Sequence, residues 1–307
     1  MRQKIFLAAV LIVFAFATYV PPVEGQTVKV LLLGGQSNMQ GTRTVDFLPP
    51  PFDMPQDDVW IWQDDDTNTG WTSLRVGFAG MGADLDVGFG PELSLGRVLA
   101  DAMPDEQFAF VKHVRGGTGA TMEDGWSPDR GNGLGPGFIY DDFIGKTREA
   151  LSALESDGLA YEVAGVIFDQ GGRDTSIREP TAASAYEEKF TEFIAGVRSE
   201  FAVPTIPFVF GQLHDWGLDP DNPRRDNWAM VRQAQANVAA NDPWASMIVT
   251  DDISRQDDDL HYDEAGHIDF GQRLGNAYLE LTAVPEPACF QLLVAALLGT
   301  LSLRRRR

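Results

Sequence analysis

Between residues 26 and 284 the chain alternates between two apolar patterns. Short runs rich in Val, Ile and Phe, at 28–33, 59–62, 108–114, 163–168, 206–210 and 247–250, have the length and composition of strands buried on both faces. Longer segments with apolar residues at helical spacing lie at 92–102, 142–155, 182–201, 227–240 and 264–281. This alternation predicts an α/β domain, a parallel sheet covered by helices on both faces. Ligands of such sheets sit beyond the carboxyl ends of the strands, so chemistry is to be sought in the loops that follow them.

The two ends break the pattern. Residues 1–25 begin Met-Arg-Gln-Lys, run apolar from Ile5 to Ala17 and finish in small and polar residues, the order of a secretory signal removed somewhere between Ala17 and Gln26. The alternative, an uncleaved anchor, would have an apolar core short for a span and would export the domain as well. Residues 285–307 begin Pro-Glu-Pro, continue mostly apolar from Ala288 to Leu303 and end in four arginines. That tail resembles the PEP-CTERM sorting signal of bacteria that export proteins with an exopolysaccharide matrix. The resemblance implies transient membrane contact, with the Arg cluster held on the cytoplasmic face, then cleavage by a sorting and processing enzyme at the membrane. A plain C-terminal anchor would share the first stage. Three segments are therefore expected: a signal at 1–25, an exported domain at 26–284 and a sorting tail at 285–307, giving a secreted or cell-surface protein. The single cysteine, Cys289, lies in the tail, so neither a disulfide nor a thiol nucleophile belongs to the domain.

Charge narrows the partners. Of 24 basic and 45 acidic residues, 18 and 43 fall between residues 26 and 285, a net of -25 that repels a phosphate backbone and argues against nucleic acid.

Three strand-end loops stand out. Residues 34–41, Gly-Gly-Gln-Ser-Asn-Met-Gln-Gly, turn sharply out of the most apolar strand and present one hydroxyl, Ser37, in a setting that suits either a helix cap or a nucleophile. Residues 115–119, Arg-Gly-Gly-Thr-Gly, read as a turn or as a loop aiming N–H groups at an anion, without the spacing of a dinucleotide fingerprint. In residues 257–263, Asp-Asp-Asp-Leu-His-Tyr-Asp, an Asp three residues before His261 can accept the imidazole Nδ1 proton and leave Nε2 free as a base, although such a loop also suits solvation or calcium.

Taken together, these loops resemble the SGNH hydrolase superfamily, and within it the acetylesterase branch of sialate O-acetylesterases and carbohydrate esterase family 6, which implies a flavodoxin-like fold, a three-layer α/β/α sandwich around a central parallel sheet of about five strands. Gly90-Pro91-Glu92, Phe138-Ile139-Tyr140 and Gln170-Gly171 fall in the same order, so the resemblance spans about residues 28–278. It implies a secreted serine esterase that removes O-acetyl groups from a polysaccharide or a sialic-acid-like sugar through an acetyl-serine intermediate. Ser37 would be the nucleophile, His261 the base and Asp258 its acid partner. The N–H groups of Ser37 and Gly117 and the Gln170 side chain would form the oxyanion hole, and Gln36, Asn38, Trp126 and Arg173 would meet substrate. The reaction implied needs no metal or organic cofactor.

One position departs from the family pattern. Gly172 stands where a Glu usually follows Gln-Gly, which leaves Asp258 the leading acid and Asp174 the second. His113, His214 and His267 lack metal-site spacing, though His214 with Trp216 follows a strand and lines a cleft in one reading. Trp62, Trp71 and Trp216 join Trp126 as aromatics able to stack on sugar rings. Two other functions compete: a catalytically degenerate domain that binds exopolysaccharide, and a calcium-dependent matrix component suggested by the acidic runs at 64–66 and 257–259.

Overall fold

In the computed structural model the described residues are 25–42, 45, 48–64, 68–78, 88–123, 125–131 and 134–283. Residues 1–24 of the expected signal, the expected sorting tail and Asp65 and Asp66 lie outside them. In chain order the elements are β1 (Val28–Gly35), α1 (Ser37–Gln40), β2 (Gln56–Asp64), β3 (Thr69–Leu74), α2 (Glu92–Ala102), β4 (Gln107–Val114), α3 (Phe138–Ser156), β5 (Tyr161–Asp169), α4 (Ala182–Glu200), β6 (Phe208–Gly211), α5 (Arg225–Asn241), β7 (Ala245–Ile248) and α6 (Glu264–Ala283).

The strands form one sheet in the order β3-β2-β4-β1-β5-β6-β7. Every pairing is parallel except β2 with β3. The sheet has seven strands where about five were expected. Its six parallel members coincide with the six apolar runs, and β3 is the addition. Its sequence, Thr-Gly-Trp-Thr-Ser-Leu, is half-exposed along most of its length, so an edge strand packed on one side carries no apolar run to detect.

Alternation along β1 builds the layers. Val28, Val30 and Leu32 face a cluster filled by Phe143 of α3, Phe190 and Phe193 of α4 and Trp228 of α5. Leu31 and Leu33 face the opposite cluster with Leu95 and Leu99 of α2 and Phe270 and Leu274 of α6. β1 lies between β4 and β5 at the centre of the sheet, and the chain leaves it toward one edge before returning to fill the other. The loops after β1, β4 and β5 therefore meet at one place, the reversal of strand order where such sheets open a crevice. Among the described residues no helix is long and apolar enough to cross a membrane.

Candidate active site

The turn after β1 is set by backbone contacts. Gly35 adopts φ +134°, and a Cβ there would come within 2.2 Å of the Asp169 carbonyl oxygen, so only glycine lets β1 end this close to β5. Gln36 N–H donates to that same carbonyl at 2.8 Å, and the chain then enters α1 with Ser37 at its first position. The loop after β4 lies alongside: Arg115 N–H donates to Gly35 O at 3.0 Å, and a Cβ on Gly116 would lie 3.8 Å from Ser37 Cβ. Gly117, at φ +73°, shares a cavity of about 390 Å³ with Ser37 and His261.

His261 arrives from the loop between β7 and α6. Its Nε2 lies 3.0 Å from Ser37 Oγ and its Nδ1 2.6 Å from Asp258 Oδ2. Asp258 also accepts the N–H groups of Leu260 and His261 on Oδ1, both at 2.9 Å, which closes the loop into a tight turn with Asp259 at φ +57°. Burial raises the Asp258 pKa, but the hydrogen bonds from His261 and Leu260 outweigh it and bring it down to about 2. The carboxylate is ionised across the neutral range, holds the proton on Nδ1 and leaves Nε2 to accept the Ser37 hydroxyl. Its side chain is 48% exposed, so water shares the Asp258–His261 contact.

Two side chains brace this loop. Asn38 donates from Nδ2 to Leu260 O at 3.3 Å and accepts Tyr262 N–H on Oδ1 at 3.1 Å, gripping the chain on either side of His261. Asn38, expected to meet substrate, lines the cavity and also spends its carboxamide on tying the nucleophile turn to the histidine loop. His214 Nε2 lies 3.2 Å from Leu260 O, while its Nδ1 accepts Trp216 N–H at 3.3 Å. Burial lowers its pKa to about 4, so it is neutral, with its proton on Nε2 donated to Leu260.

Two expectations are corrected. Gln170 does not join the oxyanion donors. It is buried, and its Nε2 donates to Asp174 Oδ2 at 2.6 Å and to Thr118 O at 3.1 Å, away from the cavity. Trp126 is not a cleft wall. It is 1% exposed, donates from Nε1 to Thr118 Oγ1 at 3.0 Å and packs edge-on against Phe143, Phe168 and Phe193, because a core that can also satisfy its N–H buries the whole indole. Trp62 and Trp71 pair with each other at 5.3 Å, with Trp71 Nε1 donating to Ala150 O on α3, and Trp216 packs against Trp228. None of these three lines the cavity, whereas Trp228 does.

Asp174 is likewise no partner of His261. Its buried carboxylate receives Ala120 N–H at 3.0 Å, Thr121 N–H at 2.9 Å, Thr121 Oγ1 at 2.6 Å and Gln170 Nε2 at 2.6 Å, which pins the chain just beyond Gly117. Gln36, Gly172 and Arg173 do line the cavity, and Arg173 is ion-paired with Glu179. The space a side chain at Gly172 would enter is held by Gln36, whose Nε2 lies 2.9 Å from the position of a Cβ. Residues of the cavity that sequence reading missed include Asp169, Gln212, Arg224 and Tyr262; of these only Asp169, an acid closing an apolar strand, carried a signal. His113 and His267 are buried with lowered pKa values and do not line the cavity; among the described residues no cluster of His, Cys, Asp and Glu suits a metal ion.

The mostly parallel α/β/α sandwich, with Ser37, His261 and Asp258 converging beyond its strand ends, is consistent with an SGNH-like fold. A sequence profile described as carbohydrate esterase, sialic acid-specific acetylesterase, matches residues 27–280, and the chain belongs to that family. It is a carbohydrate O-acetylesterase. Among solved structures it is similar to a protein of Arabidopsis thaliana (19% identity, 82% of this chain and 98% of that one, TM-score 0.63). It is also similar to a carbohydrate acetylesterase of Xanthomonas citri (22%, 82% and 56%, 0.59) and to NanS (15%, 85% and 99%, 0.60). At these identities the likeness is one of fold. No curated protein sequence matches the chain.

Proposed function

We propose that this chain is an exported serine esterase that removes O-acetyl groups from carbohydrate through an acetyl-serine intermediate. The observation that carries the reading is the unbroken line Asp258 Oδ2, His261 Nδ1, His261 Nε2, Ser37 Oγ, with contacts of 2.6 and 3.0 Å. Ser37 Oγ attacks the acetyl carbonyl carbon as its proton passes to His261 Nε2, and Asp258 stabilises the imidazolium. The oxyanion is received by the N–H groups of Ser37 and Gly117, neither of which makes a hydrogen bond among the described residues. Collapse breaks the bond to the sugar oxygen, which leaves with the proton from His261. Water then attacks the acetyl-serine with His261 again taking a proton, and acetate departs as that proton returns to Ser37.

The substrate is an acetylated polysaccharide or a sialic-acid-like sugar, in the manner of sialate O-acetylesterases and family 6 esterases. Export follows from residues 1–25 as a signal, with 26–284 the working domain. Residues 285–307 give transient membrane contact until a PEP-CTERM-type sorting enzyme removes them, so the mature protein is secreted or held in the extracellular matrix. A second reading, a domain that binds exopolysaccharide without cutting it, draws on Gly172 and on the engagement of the Gln170 amide elsewhere, which leaves two oxyanion donors instead of three.

Release of acetate by purified residues 26–284, beside Ser37→Ala, decides between them. The serine variant is expected to keep its melting temperature and lose at least about 10³-fold in kcat, since it deletes one half-buried hydroxyl and the covalent route with it. Turnover that survives in Ser37→Ala removes the acetyl-serine mechanism. No turnover by the wild type on aryl acetate, acetylated xylan or acetylated sialic acid makes the binding function the better account.

A further inference from the structure

Among the described residues the core buries three carboxyl groups, those of Glu92, Asp169 and Asp174. Two are fully engaged. Glu92 pairs with Lys112 at 2.7 Å and accepts Gly90 N–H at 2.8 Å, and Asp174 takes the four donors described above. Asp169 has neither: among the described residues no donor reaches its carboxyl and no cation pairs with it, although the residue is only 3% exposed. A buried carboxyl without a partner costs several kcal/mol unless water or a ligand satisfies it.

Its position shows where such a partner comes from. Asp169 ends β5, with its carbonyl bonded to Gln36 N–H, one residue before the nucleophile. Gly211 at the end of β6 makes room for it, since a Cβ there would lie 2.8 Å from Asp169 Oδ1. Asp169 also lines the cavity, together with Ser37, His261 and Gly172. From this geometry we infer that Asp169 is a specificity-determining residue, its carboxyl exchanging a hydrogen bond with a free hydroxyl of the sugar that carries the acetyl ester. The inference rests on the esterase reading and adds to it which part of the substrate is read. Burial without a counter-ion pushes the Asp169 pKa up to about 7, so near neutrality the protonated form is present and donates as well as accepts. The Tyr186 and Tyr262 hydroxyls, the titratable groups whose own pKa values its charge raises, are not cations and leave it unneutralised.

The test is a cycle over two substrates and three proteins. One substrate is a mono-O-acetylated methyl xyloside with its other hydroxyls free, the other the same compound with those hydroxyls methylated; the proteins are wild type, Asp169→Ala and the isosteric Asp169→Asn. Wild type is expected to prefer the free-hydroxyl substrate by about tenfold or more in kcat/KM, the size of one hydrogen bond to a buried polar group. In Asp169→Ala that preference is expected to fall to within about threefold, and in Asp169→Asn, which keeps a donor and an acceptor, to be partly retained. Steric effects of methylation cancel because both substrates meet all three proteins. The Ala variant is also expected to melt no lower than wild type at pH 8, since it removes an unpaired buried acid. A merely structural role would instead lower the melting temperature and reduce both substrates equally, which overturns the inference. So does a wild-type preference that survives in Asp169→Ala, or a wild type indifferent to methylation. Should Asp169→Ala not fold, a preference undiminished in Asp169→Asn overturns it as well. A wild type that cleaves neither substrate nor p-nitrophenyl acetate overturns the esterase reading beneath it.

Discussion

Asp258 holds His261 Nδ1 while Asp174 anchors the loop beyond Gly117, and replacing each is expected to damage the protein in a different way. In Asp258→Asn the remaining Oδ1 still accepts the Leu260 and His261 N–H groups, so the turn survives. The new amide, however, points N–H at Nδ1 in place of the Oδ2 that sits 2.6 Å away. The imidazole then carries its proton on Nε2, facing Ser37 Oγ, and no longer serves as a base. Because the Asp258 side chain is 48% exposed, water takes over part of its work, and we expect a loss of about 10²- to 10³-fold in kcat with a stability change under about 1 kcal/mol. Asp174→Ala strips the acceptor from four donors, of which Ala120 N–H and Gln170 Nε2 are buried. At about 1–3 kcal/mol for each orphaned donor, with a smaller sum from the partly solvated Thr121, the cost is about 3–5 kcal/mol, or on the order of 10 °C in melting temperature. The loop carrying Gly117 loses its anchor at the same time, so kcat falls about tenfold. Turnover of p-nitrophenyl acetate at 20 °C, beside thermal melts, separates the two patterns. If Asp258→Asn keeps more than about a tenth of wild-type kcat while Asp174→Ala loses 10³-fold at an unchanged melting temperature, the assignment of the acid is wrong.

Lys112→Met is expected to cost about 3–5 kcal/mol in urea unfolding, because it leaves the buried Glu92 carboxyl without its counter-ion. Lys112 Nζ also donates to Gln40 O at 3.0 Å, so kcat should fall with it; adding Glu92→Gln should restore much of the stability, and no recovery would refute the pairing argument. Acid should weaken the fold below pH 6.5. Burial holds the pKa of His267 at about 3, that of His214 at about 4 and that of His113 below its usual value, all under the unfolded value of about 6.5. The folded state therefore binds fewer protons, and the stability these groups contribute is complete above about pH 6.5 and lost as pH falls toward 4. Asp169 acts oppositely, its contribution being lost as pH rises from about 4 to 7, but it is one group against three. Urea midpoints at pH 7.5, 6 and 5 should fall in that order, with a flatter slope in His267→Gln; a midpoint that rises on acidification would contradict this.

The strands most legible in the chain were those buried on both faces. β1, β4 and β5 are nearly unbroken apolar runs because both of their faces meet helices, and a pattern of that kind needs no tertiary knowledge to find. β3 escaped because only one side of an edge strand is packed. The Asp258–His261 contact was legible for a similar reason: three residues apart, the two side chains meet within their own turn. The contact of His261 with Ser37 spans 224 residues, and family resemblance rather than spacing joined them.

Direction was the quantity the chain did not carry. Gln170 and Trp126 sit in loops beside the cavity, as their positions implied, yet both turn inward because Asp174 and Thr118 offer acceptors there. Asp169 does the reverse, an acid that ends a buried strand, lines the cavity and has its carboxyl beside Gly211 with no donor among the described residues. The amino-acid sequence by itself determined the layers, the parallel sheet and the loops in which chemistry gathers, since apolar periodicity is a local property of the chain. Which of the neighbouring polar groups face the substrate was decided only in the tertiary structure, where each competes for donors and acceptors supplied by residues far away in sequence, and the buried ones turn toward whichever partner satisfies them.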